Sequence, residues 1–188
     1  MAFYYNLYSA SLLLAGLVLG TAALLAWRLR PESQASAERL PRNVFIGAPL
    51  ALAALIWCIP HTKPLLSASW HVYLWPLAFF LAFLASKFID YLFARALGGF
   101  CILLAHYLLS CEFTFHTPLG PLFSIFVYVM GIFGIVLSGW PYLFRELIRA
   151  LCRDLRWRKG VALFAAAYGL LCLGLGVVQF IRGPLNGG

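Results

Sequence analysis

Acidic side chains are nearly missing: the chain carries six Asp and Glu against 14 Lys and Arg in 188 residues, so only 11% of it is charged. A soluble domain carries about 25%. That scarcity excludes a large water-facing surface, and the 63% hydrophobic content says where the chain goes instead. One membrane-spanning helix needs about 20 apolar residues, so six spans use about 120 and leave too little for a sizeable soluble domain. The net charge of +8 is dispersed over short loops between apolar runs, which excludes a nucleic-acid module, since that would need a folded basic surface.

Other absences narrow the chemistry. Met1 to Ala10 holds no Lys or Arg, whereas a cleavable secretory signal opens with positive charge; the first apolar run is expected to be retained. The five cysteines, Cys58, Cys101, Cys111, Cys152 and Cys172, show neither a CxxC pair nor zinc-finger spacing to histidine and read as small buried hydrophobes. No H-E-x-x-H, H-x4-D or glycine-rich phosphate loop is present. The nearest approach to an intramembrane serine protease pattern, Leu137-Ser138-Gly139, lacks the first glycine and has no histidine after it. No catalytic residue is assigned. The acids, Asp90 and Glu112 among them, map to loops or span boundaries, which disfavours ion-coupled transport, a process that places a carboxylate or base near the bilayer centre.

What is present is a series of apolar runs. They predict an all-α, polytopic membrane bundle forming a single integral membrane domain over 1–188, with spans at about 8–27, 44–60, 71–87, 93–111, 121–142 and 160–181. The 42 residues from Trp70 to Cys111 are apolar almost throughout; as one helix they would reach about 63 Å, twice a bilayer core, so they must fold back. Lys87, Asp90 and Arg95 mark the turn. Pro60 is expected to end the second span, and Pro49 and Pro76 lie inside spans as kinks.

Basic residues alternate cleanly between the two sides. Loops one, three and five hold four, two and six Lys or Arg, while the amino terminus, loops two and four and the carboxyl tail hold zero, one, zero and one. The positive-inside rule then places both termini outside. Tyr4, Tyr5, Tyr8, Trp57, Trp70 and Trp75 fall at the outer ends and Trp27, Tyr91, Trp140 and Trp157 at the inner ones, as aromatic belts do. The expected location is a plasma membrane, the inner membrane of a bacterium.

Between the fifth and sixth spans, Phe144, Leu147, Ile148, Leu151, Cys152 and Leu155 recur every three or four residues, the period of one helix face. Arg145, Arg149, Arg153 and Arg156 form the opposite stripe, with Arg158 and Lys159 closing it. This predicts a cytoplasmic amphipathic interfacial helix over about 143–158, its basic side available to anionic lipids or to a partner. Asp154 stands four residues before Arg158, the spacing of a helical ion pair.

Two sets of residues are candidate sites. At the outer boundary His61, His71, His116 and Glu112, with Cys58 and Cys111 nearby, carry the donor types that ligate copper or zinc, and the two cysteines are candidates for a disulfide. His106 is the one histidine well inside a span, about 7 to 8 Å deeper than Cys111 by helical rise. It shares a stripe with Gly99, Ile102 and Ser110, the small and polar residues through which helices approach each other. As an intramembrane base it is a candidate cofactor-binding residue, with haem b or a copper or zinc ion as the alternative to no cofactor. A non-catalytic accessory or assembly subunit, with a membrane-protein partner or a second copy of itself, fits the absences best. The alternatives are a small-solute permease lined by His106, Ser110, Ser124, Ser138 and Gln179, and a haem- or metal-handling protein.

Overall fold

The computed structural model describes residues 2–115 and 120–182, and among these it holds helices and no strand. The helices are α1 (Ala2–Arg28), α2 (Gln34–Ala37), α3 (Val44–Thr62), α4 (Leu74–Phe88), α5 (Leu92–Phe115), α6 (Gly120–Gly139), α7 (Tyr142–Arg153) and α8 (Leu155–Arg182). Six stretches are long and apolar enough to cross a membrane: Tyr8–Arg28, Val44–Leu65, Ala68–Phe88, Leu92–Thr114, Gly120–Gly139 and Leu155–Ile181. The protein is therefore a multi-pass membrane protein. In hydrocarbon each backbone N–H and C=O must find its partner inside the segment, and the helix is the structure that provides it.

Local chemistry sets the helix ends. Asn43 caps α3, its Oδ1 accepting from the N–H of Phe45 at 2.9 Å and of Ile46 at 3.3 Å, two of the donors a helix start leaves free. The stop expected at Pro60 is overrun, and α3 runs on to Thr62, whose hydroxyl donates to the Ile59 carbonyl at 2.9 Å. A proline one turn from the end removes a single backbone bond and leaves little helix to break. The fold-back of the long apolar run falls at Ile89 to Tyr91, where Tyr91 adopts φ 58°, a left-handed conformation that costs a non-glycine residue energy and persists only where neighbours hold it.

One boundary differs from expectation in kind. The segment read as a single helix over 143–158 is two helices, broken at Asp154. The Asp154 carboxylate accepts from the Arg156 N–H at 2.8 Å, so it caps the start of α8 instead of pairing with Arg158. Arg145, Arg149 and Arg153 thus belong to α7, and Arg156, Arg158 and Lys159 to the first turns of α8.

The described residues cluster in two units. The first comprises α1, the later part of α5, the early part of α6 and α8. Here α1 and α8 run antiparallel at backbone contact: a Cβ on Gly16 would lie 2.9 Å from the Gly169 carbonyl oxygen, and one on Gly176 would lie 3.1 Å from the Leu13 nitrogen. Phe126 stacks on Tyr168 with ring centroids 4.4 Å apart, joining α6 to α8. The second unit comprises α3, α4, the early part of α5, the later part of α6 and the start of α7. In it α3 and α5 run parallel, with Gly47 against the Phe93 backbone and Trp57 edge-on to Phe100, ring centroids 5.3 Å apart. There α5 and α6 are antiparallel, with Gly98 and Gly134 facing each other.

Adjacent glycines on α5 separate packing from mere composition. A Cβ on Gly98 would lie 2.6 Å from the Gly134 carbonyl oxygen and 2.8 Å from the Ser138 nitrogen, whereas one on Gly99 meets nothing within 4 Å. Gly98→Ala is expected to destabilise the protein by about 1–3 kcal/mol through overpacking. Gly99→Ala should be neutral or stabilising by up to about 1 kcal/mol, the helix propensity gained. Thermal unfolding in detergent reads both, and equal effects at the two positions would contradict the packing.

Candidate functional site

His61 and His106 come together. The overrun of Pro60 carries α3 one residue further to His61, and because α3 and α5 are parallel that residue meets His106, ring centroids 5.5 Å apart and planes at 79°. The sequence placed His61 nearer the surface than His106; the structure sets them side by side. Both are exposed at the side of the second unit. His106 shares its face of α5 with Ile102 and Ser110, also exposed, and with the open Gly99. Among the described residues, then, the stripe that reads as a helix-packing surface keeps Ile102, His106 and Ser110 exposed and open space beside Gly99.

The remaining metal candidates do not join that pair. His71 lies in the connection before α4, its Nε2 3.0 Å from the Lys63 carbonyl oxygen and 3.2 Å from that of Leu66. Contacts to two acceptors put the proton on Nε2, so this nitrogen ties a loop. His116 lies outside the described residues. Cys58 and Cys111 are free thiols. Among the described residues no three of His, Cys, Asp or Glu converge on a position for a metal ion.

Glu112 sits near the end of its span, as expected, but turned inward. It is 7% exposed and accepts a hydrogen bond from the Tyr8 hydroxyl at 2.8 Å, across 104 residues of sequence. Its Oε1 also rests against Gly120, the first residue of α6, where a Cβ would collide with it. A helix start presents unpaired N–H donors and the positive end of the helix dipole, both favourable to a carboxylate. Tyr8 is fully buried, so this contact fastens α1 to α5 within the first unit.

A third arrangement escaped the sequence reading altogether. Arg42 donates to the Tyr91 hydroxyl at 2.7 Å with its guanidinium carbon 4.6 Å from the ring centroid, and Arg145 also bonds Tyr91. Arg145 in turn pairs with Glu38 at 3.2 Å. Loop one, the turn between α4 and α5, and α7 are thereby tied at one point. The tie falls on the side chain of the residue whose backbone is left-handed at the turn. Periodicity offers no signal for it, since the four residues belong to three separate connections.

The basic stripe divides into engaged and open members. Arg145 is held by Glu38 and Tyr91, Arg149 is engaged as well, and Arg158 donates to the Leu29 carbonyl. Arg153, Arg156 and Lys159 are exposed. On α7 the apolar residues Ile148, Leu151 and Cys152 are buried in the protein.

Comparison with models of protein families, with curated proteins and with solved structures finds no match to this chain.

Two predictions test these contacts. Tyr8→Phe removes the donor from a buried carboxylate and should cost about 1–3 kcal/mol, while Gly120→Ala drives a methyl group onto the same carboxylate; both should lower the unfolding temperature. An unchanged temperature for both would refute the fastening role. The hydrogen bonds from Arg42 and then Arg145 lower the Tyr91 pKa below its ordinary 10.0. A folded-state pKa below the unfolded one means that Tyr91 adds stability as pH rises from the folded value towards 10, and that this gain is lost as pH falls through the folded value. Ultraviolet titration should show one tyrosine ionising ahead of the others, and Arg42→Gln should return it towards the ordinary value.

Proposed function

We propose that this chain is a non-catalytic accessory or assembly subunit of a membrane complex whose partner covers the open face of α5. The observation that carries this reading is the exposure of His106, eight residues inside the span that ends at Thr114, beside His61 and on the same face as Gly99 and Ile102. Ionisable side chains within spans face a protein interior or a water-filled cavity, because hydrocarbon does not solvate them. A small-residue face lets a foreign helix approach closely enough to cover the imidazoles. Polar groups of the fold are meanwhile committed to structure, as with the buried Glu112 on Tyr8 and the half-buried Arg145 on Glu38.

The alternation of basic loops supports an orientation with both termini outside and α7 at the inner headgroup level of a bacterial plasma membrane. In that setting Arg153, Arg156 and Lys159 face the anionic leaflet, each contributing about 1 kcal/mol. The burial of Ile148, Leu151 and Cys152 supports α7 as a helix that rests its apolar side on the protein.

A second reading rests on the 5.5 Å between the His61 and His106 rings. Two imidazoles on one ion, with about 2.0–2.1 Å from nitrogen to metal, hold their centroids about 5–6 Å apart. Copper or zinc is then shared with donors from the partner.

A photo-crosslinking residue at Ile102, compared with one at Phe80 on the exposed face of α4, tests the main reading in the cells that produce the protein. A discrete protein adduct at 102 and lipid adducts at 80 are expected, and the adduct's mass distinguishes a second copy from another protein. Lipid adducts alone at 102 would count against a covering partner. Metal analysis of the same preparation, with His106→Ala as control, decides the second reading.

A further inference from the structure

Trp27 and Arg28 at the end of α1, Leu29 and Arg30 just beyond it, and Arg158 in the second turn of α8 line one open cavity of about 530 Å³. All five residues belong to the first unit. Arg158 Nη1 donates to the Leu29 carbonyl oxygen at 2.5 Å, satisfying an acceptor near the end of α1. A guanidinium carries five N–H donors, so Arg158 is fixed by one and has others to offer the cavity.

No carboxylate lines this space. Asp154, the acid nearest to Arg158 in sequence, uses Oδ1 to cap α8, and Glu32, two residues beyond Arg30, is exposed and lies outside the lining. Three positive side chains around one cavity repel each other, and an anion among them relieves that repulsion. The planar fork of arginine fits phosphate oxygens two at a time. The level is also right for a phosphate, because the first span ends at Arg28 and the sixth begins at Leu155. Trp27, exposed and part of the lining, sits there as indoles do at the headgroup layer. The glycine contact between α1 and α8 fixes the helix ends that present the arginines, so the site stands on rigid elements.

We propose that Arg28, Arg30 and Arg158 form a binding site for a phosphate-bearing anion. The phosphodiester of an anionic phospholipid and free inorganic phosphate are two sources of the same chemistry. The site recruits one residue of the basic stripe between the fifth and sixth spans and adds two from the far end of the chain. It stands independently of a partner on α5.

Native mass spectrometry of the full chain from nanodiscs of equal phosphatidylglycerol and phosphatidylcholine tests it, with calorimetric titration of inorganic phosphate into the delipidated protein as the second arm. The wild type should retain phosphatidylglycerol preferentially, and R28Q/R30Q should lose that preference by roughly tenfold or more. K87Q/R95Q, which removes two exposed cations outside the cavity, should stay within about twofold of wild type. Phosphate binding that depends on Arg28 and Arg30, with no lipid preference, would identify the ligand as the soluble anion. Equal lipid retention and equal phosphate binding in wild type and R28Q/R30Q would overturn the proposal. So would an equal loss in K87Q/R95Q, which would mean a diffuse basic surface. Should R28Q/R30Q fail to fold, R30Q alone, beyond the end of α1, carries the same comparison.

Discussion

The first unit depends on backbone contact between α1 and α8. Gly16 and Gly169 face each other, and Gly176 lies against Leu13, at distances that admit no Cβ without displacement. Within lipid, bringing two apolar helices together gains nothing from the hydrophobic effect, because the tails they leave are as apolar as the side chains they meet. Association rests on the density of contact, and that density requires residues without side chains at the crossing. The antiparallel run of α1 on α8 places Tyr8 where it can reach Glu112. At the opposite end it brings Leu29 beneath Arg158.

Polar side chains supply the second kind of attachment, and they lie mainly at the ends of the spans. Glu112 is bonded to Tyr8 near one end of α5, and Tyr91 is held by Arg42 and Arg145 just before its other end. An ion pair at the bilayer midplane would cost desolvation that a single contact does not offset, whereas near the interface water and headgroups reduce that cost. Glu38, Arg42, Glu112 and Arg145 therefore act as fasteners at the rims, while glycine and aromatic contacts hold the middle.

The membrane class and the positions of the spans were legible because each rests on a local property, the length of an apolar run. The first five predicted spans fall on α1, α3, α4, α5 and α6, and the sixth on α8, with ends displaced by a few residues where a cap or a proline decided the matter. Asp154 shows why a boundary was missed. Its spacing to Arg158 suits a helical ion pair equally well, and only the hydrogen bond to the Arg156 N–H makes it a cap. The site residues were less legible for a different reason. That His61 meets His106, that Glu38 meets Arg145 and that Arg158 reaches Leu29 are facts about which helices are neighbours, and hydropathy carries no record of adjacency.

Gly98 and Gly99 show how far composition and function can part. They are successive residues about 100° apart around α5, yet one is closed against Gly134 and the other is open. A helix whose purpose ended with its own fold would need small residues on the closed face alone. On the open face, leucine or phenylalanine would serve better against lipid, as it does on α4, where Phe79, Phe80 and Phe83 are exposed. Instead that face carries glycine, an imidazole and a hydroxyl, residues that offer lipid fewer dispersion contacts than leucine or phenylalanine and let another helix approach closely. The exposed faces of α4 and α5 thus differ in kind: phenylalanines suit lipid, whereas small and polar side chains suit the close approach of another helix.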